Sequence, residues 1–313
     1  MLHFHYNPET IEKENQDLAQ KRPAFKIRAN IDQAIRHFFD AEQFLEVHTP
    51  VRLAAPALED YIDAIPAGDQ WLRTSPELHM KQLLAAGYPK IYQIGPCFRQ
   101  GENGSRHLPE FTMLEWYRLN ADWLKIKQDT VRLIQQAAES CLQKTILPFR
   151  DRQINLSSPW DEITVRDAFL QFADCTLQEA LDKNKFEEIL VEQIEPHLGQ
   201  ERPCFLTEYP LSCSGLSSPI PGRPDFVERW ELYIAGIELG NACSELVDLP
   251  EQERRFQACA ALRASENRPV YPVDQPFMNA LKHGIPSAAG VAIGIDRLVM
   301  FFCNCNNIHK VTL

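Results

Sequence analysis

The chain has 313 residues, a net charge of −11, and 44% apolar against 24% charged residues, enough length to bury one large core. No apolar run approaches the ~20 residues of a membrane span, and MLHFHYNPETIEKENQ lacks the basic and apolar blocks of a secretion signal. The nine cysteines are scattered, with only Cys303 and Cys305 close together, so a disulfide framework or zinc site is disfavoured and a reduced, cytoplasmic setting is expected.

Residues 1–24 read as a polar surface segment ending near Pro23. Apolar residues then fall at Phe25, Ile27, Ile31, Ile35 and Phe38, a mostly helical period, and lead into the extended FLEVHTPVRL. Within 71–86, WLRTSPELHMKQLLAA, Ser75 is a natural N-cap and Pro76 fits the first helical position. Glu77 follows at N2, where its charge favours the positive end of the helix dipole.

Residues 91–98 and 110–117 read as strands around a loop of Gly, Asn, Ser, Arg and His, a long hairpin with a polar, partly cationic tip. Alternation puts Phe111, Met113, Glu115 and Tyr117 on one face and Thr112, Leu114 and Trp116 on the other. A face with a ring, a carboxylate and a phenol is a poor core wall. It suits a floor that binds something flat and something cationic.

Residues 124–142 form an amphipathic pattern with Val131, Ile134, Ala138 and Cys141 inward, and about 150–200 read as a helical insertion whose composition carries no chemistry. The Pro, Ser and Gly-rich 209–226 contains no GxSxG elbow, so its serines read as loop residues. Ala235 and Gly236 can turn a hairpin between 227–234 and 237–241. In that register Glu238 faces Tyr233, and Glu231 lies two residues further along the same face. Diagonal neighbours of this kind are ~7 Å apart, close enough to share a hydrated Mg²⁺, and no Lys or Arg is expected opposite them. SAAGVAIGIDRLVMFF reads as a strand entering a helix, with Asp296 as its cap and Arg297 in its first turn. The closing CNCNNIHKVTL does not read as an ordered helix end. P-loop and Rossmann glycine motifs are absent, and no long basic run advertises a phosphate backbone as ligand.

FRQGENGSRHLPEFTMLEWYR, residues 98–118, resembles motif 2 of class II aminoacyl-tRNA synthetases in their lysyl branch. The helix and extended segment from residue 25 resemble motif 1, the dimer-forming element, and SAAGVAIGIDRLVMFF resembles motif 3. TSPELHMKQLL resembles the matching segment of lysyl-tRNA synthetases and their short paralogues. The resemblance implies an α+β fold over 25–313, an antiparallel β-sheet flanked by helices, and a homodimer. The ~24 preceding residues leave no room for an anticodon-binding OB-fold. The resemblance is therefore to the short paralogues that attach lysine or (R)-β-lysine to elongation factor P, with no membrane partner and with tRNA as the less expected acceptor. The competing readings are a truncated enzyme that charges tRNA and a non-catalytic regulatory paralogue.

The same resemblance implies ATP and Mg²⁺ as cofactors and assigns roles. Arg99 would grip the α-phosphate and substrate carboxylate, and Arg297 the γ-phosphate. Phe111 would stack on adenine, with Glu102 and His107 beside ATP, while Glu231 and Glu238 hold Mg²⁺. Ser75, Glu77, Glu115, Tyr117, Asn241, Glu245 and Ala292 would form the amino-acid pocket. Several carboxylates there make sense, because a buried ammonium needs paired charge. Three residues depart from the family pattern. Gly101 stands where motif 2 usually has Glu, Cys243 in GNACSE replaces the aromatic ring of GNGFSE, and Ala292 replaces a motif 3 Gly. The last two imply a reshaped amino-acid site, as a β-amino acid would need.

Overall fold

A computed structural model describes residues 7–157, 159–213 and 215–313. Nine strands form the main sheet: Leu45–Glu46 (β1), Lys90–Phe98 (β2), Glu110–Leu119 (β3), Asp161–Thr164 (β4), Cys204–Pro210 (β5), Pro219–Ile220 (β6), Arg223–Ile234 (β7), Ile237–Ser244 (β8) and Ala288–Gly294 (β9). They lie in the order β1-β2-β3-β9-β8-β7-β5-β4, with β6 on β7. The inner strands are antiparallel, as expected, but β1 joins β2 and β4 joins β5 in parallel. Parallel pairing needs a crossover, and both parallel edges are reached through helical connections.

Helices cover the two faces unequally. Within the polar surface segment, Pro8–Gln20 (α1) is an exposed helix, and Arg22–Ala41 (α2) follows it. With Trp123–Leu142 (α4) and Ile295–Phe302 (α7), α2 covers one sheet face, packing Ile35, Phe39, Ile134 and Leu298 with Trp116, Trp230 and Val291. Phe39 meets Trp116 edge-on at 5.3 Å between ring centroids. Burying each such side chain contributes about 1.5–3 kcal/mol. The stripe on α4 runs through Ile126, Leu133, Ile134, Ala137 and Ala138, leaving Val131 and Cys141 at its margin. On the other face Glu77–Ala85 (α3), Leu249–Ser265 (α5) and Gln275–His283 (α6) cover one end only. The middle of that face stays polar.

Two expectations need correction. The 150–200 segment is not purely helical: it supplies β4 before the helices Val165–Phe172, Leu177–Asp182 and Phe186–Ile189. Asp296 does not cap its helix, whose N-cap is Gly294. Instead its carboxylate accepts from the Thr112 amide at 2.7 Å and pairs with Arg28, tying α7 to β3 and α2. The C-terminal tail does not continue the helix, as expected, and packs back with Ile308 and Val311 buried and the Ile308 amide on the Ser105 carbonyl at 2.8 Å. Among the described residues no helix is long and apolar enough to cross a membrane.

Candidate active site

The polar face is built by register. Strand pairing aligns Glu231, Asn241, Ala292 and Glu115 in one row across β7, β8, β9 and β3. The next row holds Arg229, Cys243, Gly290 and Tyr117, and on the other side Tyr233 pairs with Glu238. The turn between β7 and β8 has positive φ at both Ala235 (50°) and Gly236 (70°), as a two-residue hairpin requires. Plain alternation would put Glu238 and Asn241 on opposite faces. β8 carries one extra residue, Leu239, between Glu238 paired with Tyr233 and Gly240 paired with Leu232. That bulge resets the parity, sends Leu239 into the core and keeps both polar residues on the site face. Gly290 is required by packing: a Cβ there would sit 2.2 Å from Tyr117 Cε1, so the phenol ring could not lie against β9.

One end of the row is a buried carboxylate pocket. Tyr117 donates to Glu115 Oε1 at 2.5 Å and Ser75 to Glu115 Oε2 at 2.9 Å. Ser75 Oγ also accepts from the Glu77 amide at 3.0 Å, so the residue expected to cap α3 ties that helix start to the pocket. Burial and the nearby Glu77 push the Glu115 carboxyl up to about 8. Burial raises Glu245 to about 7, with the Lys81 ammonium opposing and Glu77 adding to the shift. Ala292 and Cys243 are small residues on the floor between these groups.

The other end is cationic and acidic together. Arg99 lies over Phe111, 5.1 Å from its ring centroid, and 3.6 Å from Glu102. Arg297 donates to the Glu238 carbonyl at 2.7 Å, lies 3.3 Å from Glu238 Oε2 and touches His107 Nε2 at 2.7 Å. Partial burial and the Arg297 charge lower the His107 imidazole from its ordinary value. Burial would raise Glu238, but Arg297, Arg99 and Arg229 outweigh it and hold the carboxyl low. As expected, no Lys or Arg stands opposite Glu231 or Glu238 in the hairpin, where Asn241 and Tyr233 stand, but both carboxylates have cationic partners from elsewhere. Arg229, two residues along the same strand, reaches Glu231 at 2.5 Å, and Arg297 arrives from α7.

Further site groups went unread in the sequence. Glu195 accepts from Tyr233 at 3.2 Å, while the same hydroxyl meets Glu231 at 2.7 Å. Burial, then Glu238 and Glu231, push Glu195 up to about 7. Burial, opposed by Arg99 and reinforced by Glu77, does the same for Glu59. Lys81 and Arg229 were findable, standing at i+4 from Glu77 and i−2 from Glu231. Glu195 was not, because only the folding of 195–199 onto the Ala235 turn brings it there. Among the described residues no three His, Cys, Asp or Glu side chains converge as a ready metal cage. A pair of carboxylates is still the donor set that suits Mg²⁺, which keeps most of its shell for water and phosphate.

The family model for class II tRNA synthetases (D, K and N) matches residues 11–313. An elongation factor P–(R)-β-lysine ligase of Hamiltonella defensa subsp. Acyrthosiphon pisum is 36% identical over 91% of this chain and 92% of its own length. The corresponding ligase of Pectobacterium carotovorum subsp. carotovorum is 35% identical with the same coverage, 91% and 92%. A lysine–tRNA ligase of Chloroflexus aurantiacus is 33% identical over 94% of this chain, which spans 65% of that relative's length. The chain is therefore an enzyme of the class II tRNA synthetase family, in the lysyl branch with the short elongation factor P ligases.

Proposed function

We propose that this ligase activates lysine or (R)-β-lysine with ATP and transfers it to a lysine side chain of elongation factor P, as a homodimer in the cytoplasm. The observation that carries the reading is the continuity of one sheet face, where the Glu115 pocket shares a register row with Glu231 at the arginine end. A cationic amino acid and a polyphosphate therefore have adjoining places. The near-complete match to the elongation factor P ligases supports the acceptor, and the likeness of α2 and β1 to motif 1 supports the dimer. Nine free cysteines suit a reducing compartment.

In the first step the amino-acid carboxylate attacks the α-phosphorus of ATP, and the bond to pyrophosphate breaks. In the second the acceptor amine attacks the acyl carbon, AMP leaves with the acyl–oxygen electron pair, and the amine gives up a proton. Negative charge grows on the α-phosphate oxygens, so preorganised cations supply much of the rate. Arg99 meets the α-phosphate and substrate carboxylate, and Arg297 exchanges Glu238 for the γ-phosphate. Phe111 receives the adenine once Arg99 leaves its face for the phosphate, with Glu102 and His107 alongside. Mg²⁺, held by Glu231 and Glu238, would neutralise phosphate charge. Ser75, Glu77, Glu115, Tyr117, Asn241 and Glu245 bind the ammonium groups, and Ala292 shapes the floor.

The test is ATP–pyrophosphate exchange with L-lysine, (R)-β-lysine and (S)-β-lysine, followed by transfer of the labelled isomer to elongation factor P or to tRNA. Exchange with a lysine isomer and transfer to the protein support the reading. Transfer to tRNA alone would make it a tRNA-charging enzyme, and silence with every isomer would make it a non-catalytic paralogue.

A further inference from the structure

The amino-acid pocket contains a cation of its own. Lys81, its side chain 1% exposed, stands four residues after Glu77 on α3, so the two side chains meet on one helix face. Its ammonium lies 2.5 Å from Glu77 Oε1 and 2.5 Å from Glu245 Oε2, joining the helix to the residue that follows β8. Two carboxylates this close, Glu245 buried and Glu77 partly buried, would repel without a cation between them. A cation in that position opposes protonation of Glu245 and holds the two carboxylates at one separation, because a buried charge tolerates little loss of its partners.

We propose that Lys81 is a positioning residue that acts through Glu77 and Glu245, fixing their geometry and setting how many ammonium groups the pocket accepts. The inference rests on the functional reading above and deepens it. Once Glu115 and Glu245 ionise on the substrate's arrival, Glu77, Glu115 and Glu245 bring three negative charges, and Lys81 cancels one. The two charges left match an amino acid that carries two ammonium groups, as lysine and β-lysine both do, while its carboxylate goes to the arginine end. Without Lys81 three carboxylates would face two ammoniums, and one would stay protonated or turn away. Other titratable groups facing this set are Glu59 before α3, Glu115 and Tyr117 on β3 and Cys243 on β8. Burial would lower the Lys81 ammonium, but Glu245 and Glu77 raise it instead, so it stays charged at working pH.

The test compares Lys81→Met, Lys81→Gln and Lys81→Arg with the unmodified protein in ATP–pyrophosphate exchange across pH, alongside thermal melting. Both neutral variants are expected to raise the amino-acid KM by roughly tenfold or more, with the ATP KM and kcat changed by less than about threefold. Their acidic limb of kcat/KM should also move to higher pH, since Glu245 then loses the ammonium that opposes its upward shift. Lys81→Arg keeps the charge and should recover part of the loss seen in the neutral variants, its larger planar head keeping it short of the unmodified KM. A lower melting temperature with unchanged KM and pH profile would overturn the proposal by making Lys81 merely structural. A lower KM in the neutral variants would overturn it by making Lys81 a competitor of the substrate, and an Arg variant as impaired as Met would overturn the charge argument. If Lys81→Met does not fold, Lys81→Gln carries the comparison. No exchange by the unmodified protein with any lysine isomer would sink the functional reading and this proposal together, whereas exchange without an effect at Lys81 would sink this one alone.

Discussion

The two ends of the polar face store negative charge in opposite ways. At the arginine end the carboxylates already have guanidinium partners, Glu231 with Arg229 and Glu238 with Arg297, and Glu238 stays low despite burial. At the pocket end Glu115 accepts from a hydroxyl on each oxygen, and burial lifts it to about 8. Glu238 is therefore poised to exchange ion partners, Glu115 to exchange protons. The difference follows from what each receives. A polyphosphate brings negative charge and needs cations that can be released to it, whereas an ammonium brings positive charge and needs carboxylates that can ionise on its arrival.

The harshest way to break the contrast is to remove one arginine. Arg297→Ala should cut pyrophosphate exchange by about 10²–10³-fold while leaving the amino-acid KM nearly unchanged, because the lost cation faces the nucleotide alone. The complementary lesion at the pocket end is Gly290→Ala. Its Cβ would fall 2.2 Å from the Tyr117 ring, so the ring must move and carry its bond to Glu115 with it. We expect about 1–3 kcal/mol of destabilisation in denaturant unfolding and a raised amino-acid KM with the ATP KM retained.

The proton side of the contrast is visible in pH. Glu115 and Glu245 are raised from 4.5 to about 8 and about 7, so their contribution to stability is full below about 4.5 and is lost as pH rises through those values. The ligand-free melting temperature should fall by a few degrees between about pH 5 and pH 8. Stabilisation by added lysine should grow over the same window, as the carboxylates it needs become ionised. Glu115→Gln should flatten both trends. The smallest effect belongs to the floor. Ala292→Gly removes one methyl between Glu115 and Asn241 and should shift the preference between lysine and β-lysine by on the order of tenfold or less, read as a ratio of kcat/KM values.

Much of this site is local in sequence. The hairpin of β2 and β3, the shared face of Phe111, Met113, Glu115 and Tyr117, and the Ala235–Gly236 turn all follow from period-two alternation and turn chemistry. Asn241 did not yield to alternation, because a bulge at Leu239 shifts the parity of β8 and nothing in the run of side chains marks it. Asp296 misled for a related reason. A helix-start Asp usually caps, but here Thr112 and Arg28, both far away in the chain, claim its oxygens first.

By itself the sequence determined α2, α3 and α4, the hairpin that carries the aromatic and acidic face, and the family, because periodicity and short motifs are written within a few residues. Only the tertiary structure decided the ionic partners. Lys81 bridges Glu77 to Glu245, Arg297 crosses to Glu238, and Glu195 reaches Tyr233 from a separate segment. Such pairings depend on distances of a few ångströms between elements far apart in the chain, and on burial that only packing creates. Charge state in this site is a property of the fold.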